Sequence, residues 1–593
     1  MYILGLSCLY HDAAAALLHD GMLIAAAQEE RFTRIKHDPN FPVNAIAFCL
    51  RRAGISAADL DYVVFYEKPF VKFERLLLSI ASTFPYSWRV FCEALLVWLG
   101  DKLWIKSLIR DRLGVSKERI IFVDHHLSHA ASAFYCSPFS EAAILTVDGV
   151  GEWTTTALGR ATANWSGAGD NRLTLDEEIR FPHSLGLLYS AFTAFLGFEV
   201  NEGEYKVMGM APFGEPRYVD KIERLIRVGS DGSFVLDMSY FSFHYHRDRA
   251  FNHKFEALFG EPRDHRARFV TAQTSLYDDP DPPTRAELER NQYYADVAAS
   301  LQKVVEDAMV RLAKRVHETT GCSRLCLAGG VALNSVANYK ILANTPFEEL
   351  YIQPAAGDAG GALGAALYAY HVLLGHPRRF VMEHTHWGEE YGEEAIVSFL
   401  EGHGLQAERY KDDEHLLERA VDGLMDGKVV GWFQDRFEWG PRALGNRSIL
   451  ADPRRAEMKD LVNIKIKFRE PFRPFAPSVL LERAEELFQL GGVAKHYPPR
   501  FMLYVVPVKR PDLIPAGTHV DGSGRLQTVH RETSPRYYRL IELFGEATGV
   551  PALLNTSFNL RGEPIVSTPA EAFATFRRSG MDWLVLGRHL LTK

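Results

Sequence analysis

Two stretches of this chain share a pattern of strand, polar turn and strand, and this repetition is the strongest constraint on its fold. In the first, YILGLSCLYHDAAAALLHDG, two apolar runs flank a turn that contains His11 and Asp12. In the second, AAILTVDGVGEWTTTALG, the turn contains Asp148-Gly149 and Gly151. Two such hairpins far apart suggest a duplicated α/β unit. Small residues at the turns would let backbone N–H groups approach an anion.

Length and charge limit the organisation and the partners of the chain. Its 593 residues are too many for one ordinary core, so we expect at least two domains. The segment LLGHPRRF, near residues 373–380, is the best linker candidate, and we predict domains over residues 1–378 and 379–593. The formal net charge of −8 argues against a protein built to grip nucleic acid.

The sequence predicts neither export nor a membrane span. The chain starts with the strand-like run MYILGLSCL, without a basic region or a cleavage pattern. The most apolar later segment, FCEALLVWLGDKLW, is too short and too charged to cross a bilayer. We interpret it as an amphipathic core helix, with a dimer face as the alternative. Six scattered cysteines in mostly apolar contexts indicate reduced core residues in a cytoplasmic protein.

A histidine pair in HHLSHAASAF is the first candidate site. His125 and His129 are four residues apart among helix formers, so on a helix they lie within roughly 40° of each other, one turn apart. Both could reach one metal ion, and Asp148 at the end of the next strand-like run could add a carboxylate. His126 and His129 could also share a face. A structural or surface role for the histidines is the alternative.

Two glycine-rich segments offer further candidates. LCLAGGVALNSVANYKIL predicts a strand, a Gly329-Gly330 turn and a helix; adenosine or phosphate could lie against this backbone, although a simple tight turn fits equally well. We count Gly329, Gly330 and Asn334 among the candidate nucleotide- or phosphate-binding residues. In the following segment Asp358 starts a helix, where an isolated aspartate suits N-capping more commonly than a metal.

A second constellation lies nearer the C-terminus. Lys467 and Arg469 are two apart in IKIKFRE, which predicts a strand with both side chains on one face, and Ser557 and Asn559 have the same spacing in LLNTSFN. On neighbouring strands these residues would form a pocket for a phosphate or an acyl phosphate. A solvated charged strand face is the alternative. Further candidates for the lining are Arg442, Arg447, Arg473 and Arg525.

Together these motifs resemble the bacterial O-carbamoyltransferases of the NodU/CmcH type, which act in antibiotic, nodulation-factor and toxin biosynthesis. The similarity covers essentially the whole chain and rests on GWFQDRFEWGPRALGNRSILADPR, YKVMGMAPFG, HHLSHA and LLNTSFN. It implies an α/β fold in two parts. The N-terminal part would be a duplicated, actin-type ATPase-like domain, similar to the metal-binding transferase of the tRNA threonylcarbamoyladenosine pathway. The C-terminal part would be similar to the YrdC domain, which makes acyl-adenylates.

The resemblance also implies roles for individual residues. The metal motif of the family falls on His125, His129, Asp148 and Asp358. The metal is usually iron, although these ligands would also accept manganese or zinc. The family's K-x-R and S-x-N signature falls on Lys467, Arg469, Ser557 and Asn559, and its HDA motif falls on His11 and Asp12.

The implied activity is transfer of the carbamoyl group of carbamoyl phosphate, through an ATP-derived carbamoyl adenylate, to a hydroxyl of a small-molecule natural product. The implied cofactors and co-substrates are a divalent metal, ATP and, as a further candidate, magnesium. His11 is the candidate base for the acceptor hydroxyl, with a structural histidine in the turn as the alternative. We expect no nucleic-acid or membrane partner, and a homodimer is compatible with the sequence.

Three alternative interpretations each predict different features of the protein. A tRNA threonylcarbamoyladenosine-type modification enzyme, the main alternative, should have a basic surface and salt-sensitive RNA binding. A hydrogenase-maturation carbamoyltransferase would carry zinc-finger cysteine pairs, which six scattered cysteines do not provide. A non-enzymatic switch of the actin type would leave the K-x-R and S-x-N pairs unexplained.

Overall fold

The computed structural model describes residues 1–100, 102–165, 167, 170–274, 281–470 and 472–593. Within these residues the chain forms two compact units. Unit 1 contains Met1–Glu29, His37–Ala267 and Gln292–Met382, and unit 2 contains Glu30–Lys36, Arg268–Asn291 and Glu383–Lys593. The main division lies close to the predicted linker. The sequence did not indicate that two short segments, Glu30–Lys36 and Arg268–Asn291, belong to unit 2.

Unit 1 contains two sheets with the same strand order. Its described strands are β1 (Tyr2–Ser7), β2 (Ala14–His19), β3 (Met22–Gln28), β4 (Tyr62–Phe65), β5 (Ile120–Phe122), β6 (Glu141–Val147), β7 (Thr154–Thr162), β8 (Arg172–Arg180), β9 (Ile226–Val228), β10 (Phe234–Leu236), β11 (Arg324–Ala328) and β12 (Glu349–Ile352). The orders are β3-β2-β1-β4-β5 and β8-β7-β6-β11-β12, and β9 pairs with β10. In each large sheet the first three strands are antiparallel and the last two run parallel to the first. The predicted duplication of an α/β unit is therefore confirmed.

Small residues bring two helices of unit 1 into close contact. The described α-helices that lie in this unit, or begin just before it, are Val43–Ala53, Pro69–Thr83, Trp88–Gly100, Ile105–Leu113, His125–Phe134, Leu185–Phe195, Glu204–Met210, Val219–Ile222, His253–Phe259, Arg285–Thr320, Ser335–Asn344 and Asp358–Tyr368. A Cβ added at Gly364 would lie 1.8 Å from the carbonyl oxygen of Ser128, so only glycine permits this approach. The contact joins the helix that begins at His125 to the helix that begins at Asp358.

The helix Trp88–Gly100 differs from its predicted environment. Its Trp98 is buried, but Leu96 and Leu99 are exposed, so the interpretation of this segment as a core helix is wrong for its outer face. None of the described helices is long and apolar enough to span a membrane.

Unit 2 is a mixed α/β unit built on one large sheet. Its described strands are β13 (Glu408–Arg409), β14 (Val430–Phe433), β15 (Arg447–Ala451), β16 (Ala476–Leu480), β17 (Val505–Pro507), β18 (Ser523–Arg525), β19 (Gln527–Val529), β20 (Ala552–Ser557), β21 (Trp583–Leu586) and β22 (His589–Thr592). The sheet order is β13-β22-β21-β14-β15-β20-β16-β19, and β17 pairs with β18. The described α-helices of this unit are Glu30–Thr33, Glu393–Gly402, Asp413–Met425, Met458–Leu461, Ala484–Leu487, Tyr497–Arg500, Pro535–Thr548 and Pro569–Arg578. Apolar clusters that include residues of β14 and β15 form its core.

The strand predicted over IKIKFRE is wrong. Val462–Ile466 is a short π-helix that continues Met458–Leu461, and Lys467 is its C-terminal cap. Val462 and Ile466 are both buried in the core. Residues four apart share a face in a strand as well as in a helix, so the burial pattern alone did not separate the two. Phe468 then has a φ of 49°, so the chain turns sharply before Arg469.

Candidate active sites in the two units

Four predicted metal ligands converge in unit 1. The ligand atoms of His125, His129, Asp148 and Asp358 all lie within 4.8 Å of one another. The two Nε2 atoms of the histidines are 3.0 Å apart. His125 Nε2 lies 3.3 Å from Asp148 Oδ2 and 3.6 Å from Asp358 Oδ1, and His129 Nε2 lies 3.9 and 3.7 Å from the same atoms. Two imidazole nitrogens and two carboxylates around one point fit a divalent transition metal.

The structure distinguishes the two histidine pairs that spacing left open. His125 and His129 point into the cluster, whereas Nδ1 of His126 lies 2.7 Å from Oγ1 of Thr146. The helix begins at His125, so one turn separates the first ligand from the second. The third histidine of the motif therefore contacts a strand instead of the cluster.

The two carboxylates are held by neighbouring groups. Asp148 directly follows β6, and its Oδ1 accepts a 2.7 Å hydrogen bond from the backbone N–H of Gly330. Gly329 has a φ of 94°, and a Cβ there would lie 2.2 Å from a carbonyl oxygen at the end of β6. Asp358 is the first residue of its helix, and it accepts a 3.2 Å hydrogen bond from the hydroxyl of Tyr66. The Gly329-Gly330 turn thus positions a carboxylate, and Asp358 faces the cluster instead of capping its helix.

Burial shapes the charge state of the cluster. It lowers the pKa of His125 well below its usual value, so this imidazole stays neutral, the form that binds metal. Burial alone would raise the pKa of Asp148, but the hydrogen bond with His125 and the nearby imidazoles hold it well below its usual value. Burial, and to a lesser extent the charge of Asp148, raises the pKa of Asp358. A bound cation would balance this buried carboxylate charge.

The β1–β2 turn places His11 beside the cluster. Its Nδ1 lies 2.9 Å from Oδ2 of Asp12, and its Nε2 lies 3.9 Å from Oδ2 of Asp358. The other carboxylate oxygen of Asp12 is 2.7 Å from Nδ1 of His37. Burial acts to lower the pKa of His11, but the charge of Asp358 and the bond to Asp12 outweigh it and raise this pKa to about 9. Asp12 therefore fixes the ring with Nε2 toward Asp358.

Sequence reasoning missed three buried charged residues around His125. Lys72 Nζ lies 2.5 Å from Oε2 of Glu67, and this carboxylate oxygen is 3.9 Å from Nδ1 of His125. The carboxylate of Glu152 accepts a 3.1 Å hydrogen bond from the backbone N–H of His125. An anion is favourable at this helix N-terminus. Glu152 was detectable from its place in the turn after Asp148, whereas no local motif marks Glu67 or Lys72.

In unit 2 the structure brings together three of the four residues of the K-x-R and S-x-N signature. Lys467 Nζ donates to the backbone oxygen of Ser557 at 2.7 Å and to Oδ1 of Asn559 at 2.7 Å, and it lies 3.1 Å from Oγ of Ser557. Ser557 is the last residue of β20, and Asn559 follows the strand. Arg469, the fourth residue, donates from Nε to Oδ1 of Asn463 at 2.6 Å.

The cations near this group act on one another. Burial lowers the pKa of Lys467 well below its usual value, and the charges of Arg469 and Arg473 lower it further. Burial likewise lowers the pKa of Arg525, and the charges of Arg442 and Arg469 add to this effect. Within the described part of the chain, Nε of Arg525 is buried without a hydrogen-bond partner. Buried cations repel one another, and a bound anion would stabilise them. The site is therefore suited to an anionic ligand.

Two other predicted arginines have local partners. Arg447 is buried on β15, where its guanidinium donates to the backbone carbonyls of Gln434 and Asp435 and lies 3.7 Å from the ring centroid of Phe433. Its terminal nitrogens are used by the loop after β14, whereas its Nε is buried without a hydrogen-bond partner among the described residues, so its place among the lining candidates stays a prediction. Arg473 forms a 2.5 Å ion pair with Glu470.

Asn334 has a structural role in unit 1. Its Oδ1 accepts a 3.1 Å hydrogen bond from the backbone N–H of Ala337 and so caps the helix Ser335–Asn344, while its Nδ2 donates to Gln302 at 3.1 Å. Gly329 and Gly330 belong to the same unit, whereas Lys467 belongs to unit 2. The predicted nucleotide- and carbamoyl phosphate-binding residues thus belong to different units.

The chain combines two α/β units. One is duplicated and contains a histidine–aspartate cluster, and the other contains clustered cations. This combination fits a two-part protein of the group-transfer class. The family model described as Carbamoyltransferase N-terminus matches residues 2–367, and that described as Carbamoyltransferase C-terminus matches residues 421–593. The chain belongs to the carbamoyltransferase family and is an enzyme.

Several relatives resemble this chain. An uncharacterized protein of Synechocystis is 47% identical, over 100% of this chain and 97% of its own length. The nodulation protein NolNO of Sinorhizobium fredii is 38% identical, over 98% of this chain and 79% of its own length. The 3'-hydroxymethylcephem-O-carbamoyltransferase of Amycolatopsis lactamdurans is 33% identical, over 45% of this chain and 48% of its own length.

Among solved structures, the activator of 2-hydroxyisocaproyl-CoA dehydratase from Clostridium difficile with bound ADPNP is 14% identical. The match covers 62% of this chain and 94% of that protein, with a TM-score of 0.30.

Proposed function

We propose that this carbamoyltransferase makes carbamoyl adenylate from carbamoyl phosphate and ATP in unit 2, and that unit 1 passes the carbamoyl group to a hydroxyl of a small molecule. The observation that carries the proposal is the cation cluster around Lys467 and Arg525. Burial lowers the pKa values of Lys467 and Arg525, and the charges of neighbouring arginines lower them further, so an anion of high charge density would stabilise both cations. The O-carbamoyltransferase of Amycolatopsis lactamdurans, which is named for a hydroxymethylcephem, supports a hydroxyl acceptor.

The reaction proposed for unit 2 brings together two polyanions, carbamoyl phosphate and ATP. Water releases orthophosphate from carbamoyl phosphate, and a carbamate oxygen then attacks the α-phosphorus of ATP with loss of pyrophosphate. The ammonium of Lys467 and the guanidinium groups of Arg442, Arg469 and Arg525 would offset the charge that builds on the phosphoryl oxygens. Ser557 and Asn559 hold the Lys467 ammonium in place. The product is a mixed anhydride, which must be kept from water.

In unit 1 the residues are suited to transfer. His125, His129, Asp148 and Asp358 would hold a divalent metal, which when bound supplies Lewis-acid stabilisation of carbonyl or phosphate oxygen. His11 would take the proton of the acceptor hydroxyl at Nε2, while Asp12 fixes Nδ1.

The raised pKa of His11 bears directly on this role. A ring with a pKa of about 9 carries a proton at neutral pH and must lose it before it can act as a base. Asp358 is the largest of the charges that raise this pKa. Neutralising Asp358 would bring the pKa of His11 toward the ordinary range of an imidazole base.

The test separates the two half-reactions. The protein is incubated with carbamoyl phosphate and ATP but without an acceptor, and pyrophosphate release is measured while carbamoyl adenylate is detected by mass spectrometry. We expect both products, and their absence in a folded, active preparation would contradict the adenylate route. Candidate alcohols are then added, and the gain of one carbamoyl group identifies the acceptor. Release of orthophosphate from ATP without adenylate would instead indicate a nucleotide switch.

A further inference from the structure

An exposed apolar face on the helix Trp88–Gly100 is unrelated to either candidate site. The face consists of Phe84, Trp88, Cys92, Leu96, Leu99 and Trp104. At about 100° per residue, the four residues within the helix lie inside an arc of about 80°. The stripe continues beyond both helix ends. The rings of Phe84 and Trp88 are 6.4 Å apart, and Trp104 Nε1 donates to the backbone oxygen of Leu99 at 2.7 Å.

The exposure of this face exceeds what a soluble monomer usually shows. Leu96 is 78% exposed, Phe84 64%, and Leu99 52%. Tyr86, which lies between Phe84 and Trp88 in the sequence, is exposed as well. With 150–250 Å² for a large side chain, the face and Tyr86 expose roughly 800 Å² of apolar residues. The largest apolar patch of a typical monomer is about 300–600 Å², whereas each partner of a stable complex buries about 800 Å².

We propose that this face is the two-fold interface between two copies of this chain. The area alone is sufficient for a standard interface, and a two-fold contact needs only one apolar surface, because the same patch serves both copies. The charges beside the stripe are also self-complementary. Arg89 and Glu93 are exposed on one edge of the helix, and Glu93 also forms a 3.1 Å ion pair with the exposed Arg247 of the same chain. An antiparallel mate would bring Arg89 of each copy toward Glu93 of the other.

The charges on this helix also argue against a lipid bilayer as the partner that covers the apolar face. Helices that lie in a membrane surface carry a lysine- and arginine-rich polar face beside the apolar one. The helix Trp88–Gly100 contains one arginine and one glutamate, and the formal net charge of the whole chain is −8. An anionic membrane surface would not attract such a helix.

Cys92 makes the interface directly testable in the full-length protein. It is exposed, whereas Cys8, Cys49, Cys136, Cys322 and Cys326 are buried. A short bismaleimide should therefore join two copies through Cys92, and Cys92→Ser should abolish the product. The mass of the wild type is measured by sedimentation equilibrium over a wide concentration range, and we expect a dimer.

Leu99→Glu and Leu373→Glu form a matched pair of variants. The two leucines are 52% and 51% exposed, and Leu373 lies outside the face. Leu99→Glu would bury an unpaired carboxylate in each half of the interface, so the dimer dissociation constant should rise by at least about a hundredfold. Leu373→Glu should leave it unchanged, and circular dichroism should show that both variants fold.

Two results would overturn the proposal. The wild type could stay monomeric at every concentration, in which case sedimentation with vesicles of anionic phospholipid would identify a membrane as the occupant, or the dimer could tolerate Leu99→Glu. Neither of these depends on carbamoyl transfer, so the outcome is independent of the proposed function.

Discussion

The ammonium of Lys467 lies 2.7 Å from Oδ1 of Asn559, although 92 residues separate the two in the sequence. Lys467 ends a short π-helix and Asn559 follows a strand, so neither residue occupies the strand position that its spacing suggested. The contact arises where the irregular ends of two elements meet. Candidate site residues at such ends can be substituted without disturbing the sheet.

Replacing Lys467 should block the first half-reaction. Lys467→Ala removes the central cation of the unit 2 cluster, and we expect pyrophosphate release with carbamoyl phosphate and ATP to fall by at least about 100-fold. The exposed Lys428 provides the control, because Lys428→Ala removes a lysine from the same unit outside the cluster. Full pyrophosphate release by folded Lys467→Ala would place adenylate formation elsewhere.

Two histidines of one helix provide a matched test of the metal site. His129→Ala removes a predicted ligand, and we expect metal affinity to fall by at least about 100-fold, while adenylate formation without acceptor persists. His126→Ala removes an equally buried imidazole that faces Thr146, and it should retain the metal. Metal content is measured by inductively coupled plasma mass spectrometry after dialysis. Equal metal loss in both variants would indicate that helix damage, not ligation, is being measured.

Glu67 should influence the metal through His125. Its carboxylate faces Nδ1 of His125 at 3.9 Å and is held by Lys72, so it can orient the ring and increase its basicity when the opposite nitrogen binds a metal. We expect Glu67→Gln to lower cobalt affinity by about 10- to 100-fold and to shift the visible absorption of the cobalt form. The exposed Glu74 supplies the control variant Glu74→Gln. An unchanged spectrum and affinity for Glu67→Gln would exclude this role.

His371 should make the folded protein less stable in mild acid. The residue is 1% exposed, and burial lowers its pKa from 6.5 to about 4. Between these values the unfolded chain binds a proton that the folded chain rejects, so the free energy of unfolding falls as the pH drops from 7 to 5. The contribution of this one residue is at most about 2 kcal/mol.

His371→Phe measures that contribution. The variant cannot take up the proton, and we expect its loss of unfolding free energy between pH 7 and pH 5 to be smaller than that of the wild type by up to about 2 kcal/mol. Urea unfolding at both pH values gives the comparison. Identical pH dependence in the two proteins would mean that His371 is protonated as readily in the folded state as in the unfolded one.

Several features followed from the sequence because they depend on local periodicity. The helix that begins at His125 was predicted from the spacing of His125 and His129, and the two hairpins were predicted from apolar runs around polar turns. These patterns extend over ten or more residues, so helical and strand periods differ clearly within them. The alternation around Lys467 extends over only a few residues, too few to separate the two periods, and Val462–Ile466 forms a π-helix instead of a strand.

The sequence by itself thus determined the duplicated α/β plan and the residue types available for chemistry. Only the tertiary structure decided that His126 contacts Thr146, that Glu67 and Lys72 lie behind His125, and that part of the helix Trp88–Gly100 faces solvent. The physical reason is that hydrogen bonding along the backbone sets local structure within a few residues. Burial and side-chain partners depend on elements that are distant in the sequence and meet only when the chain folds.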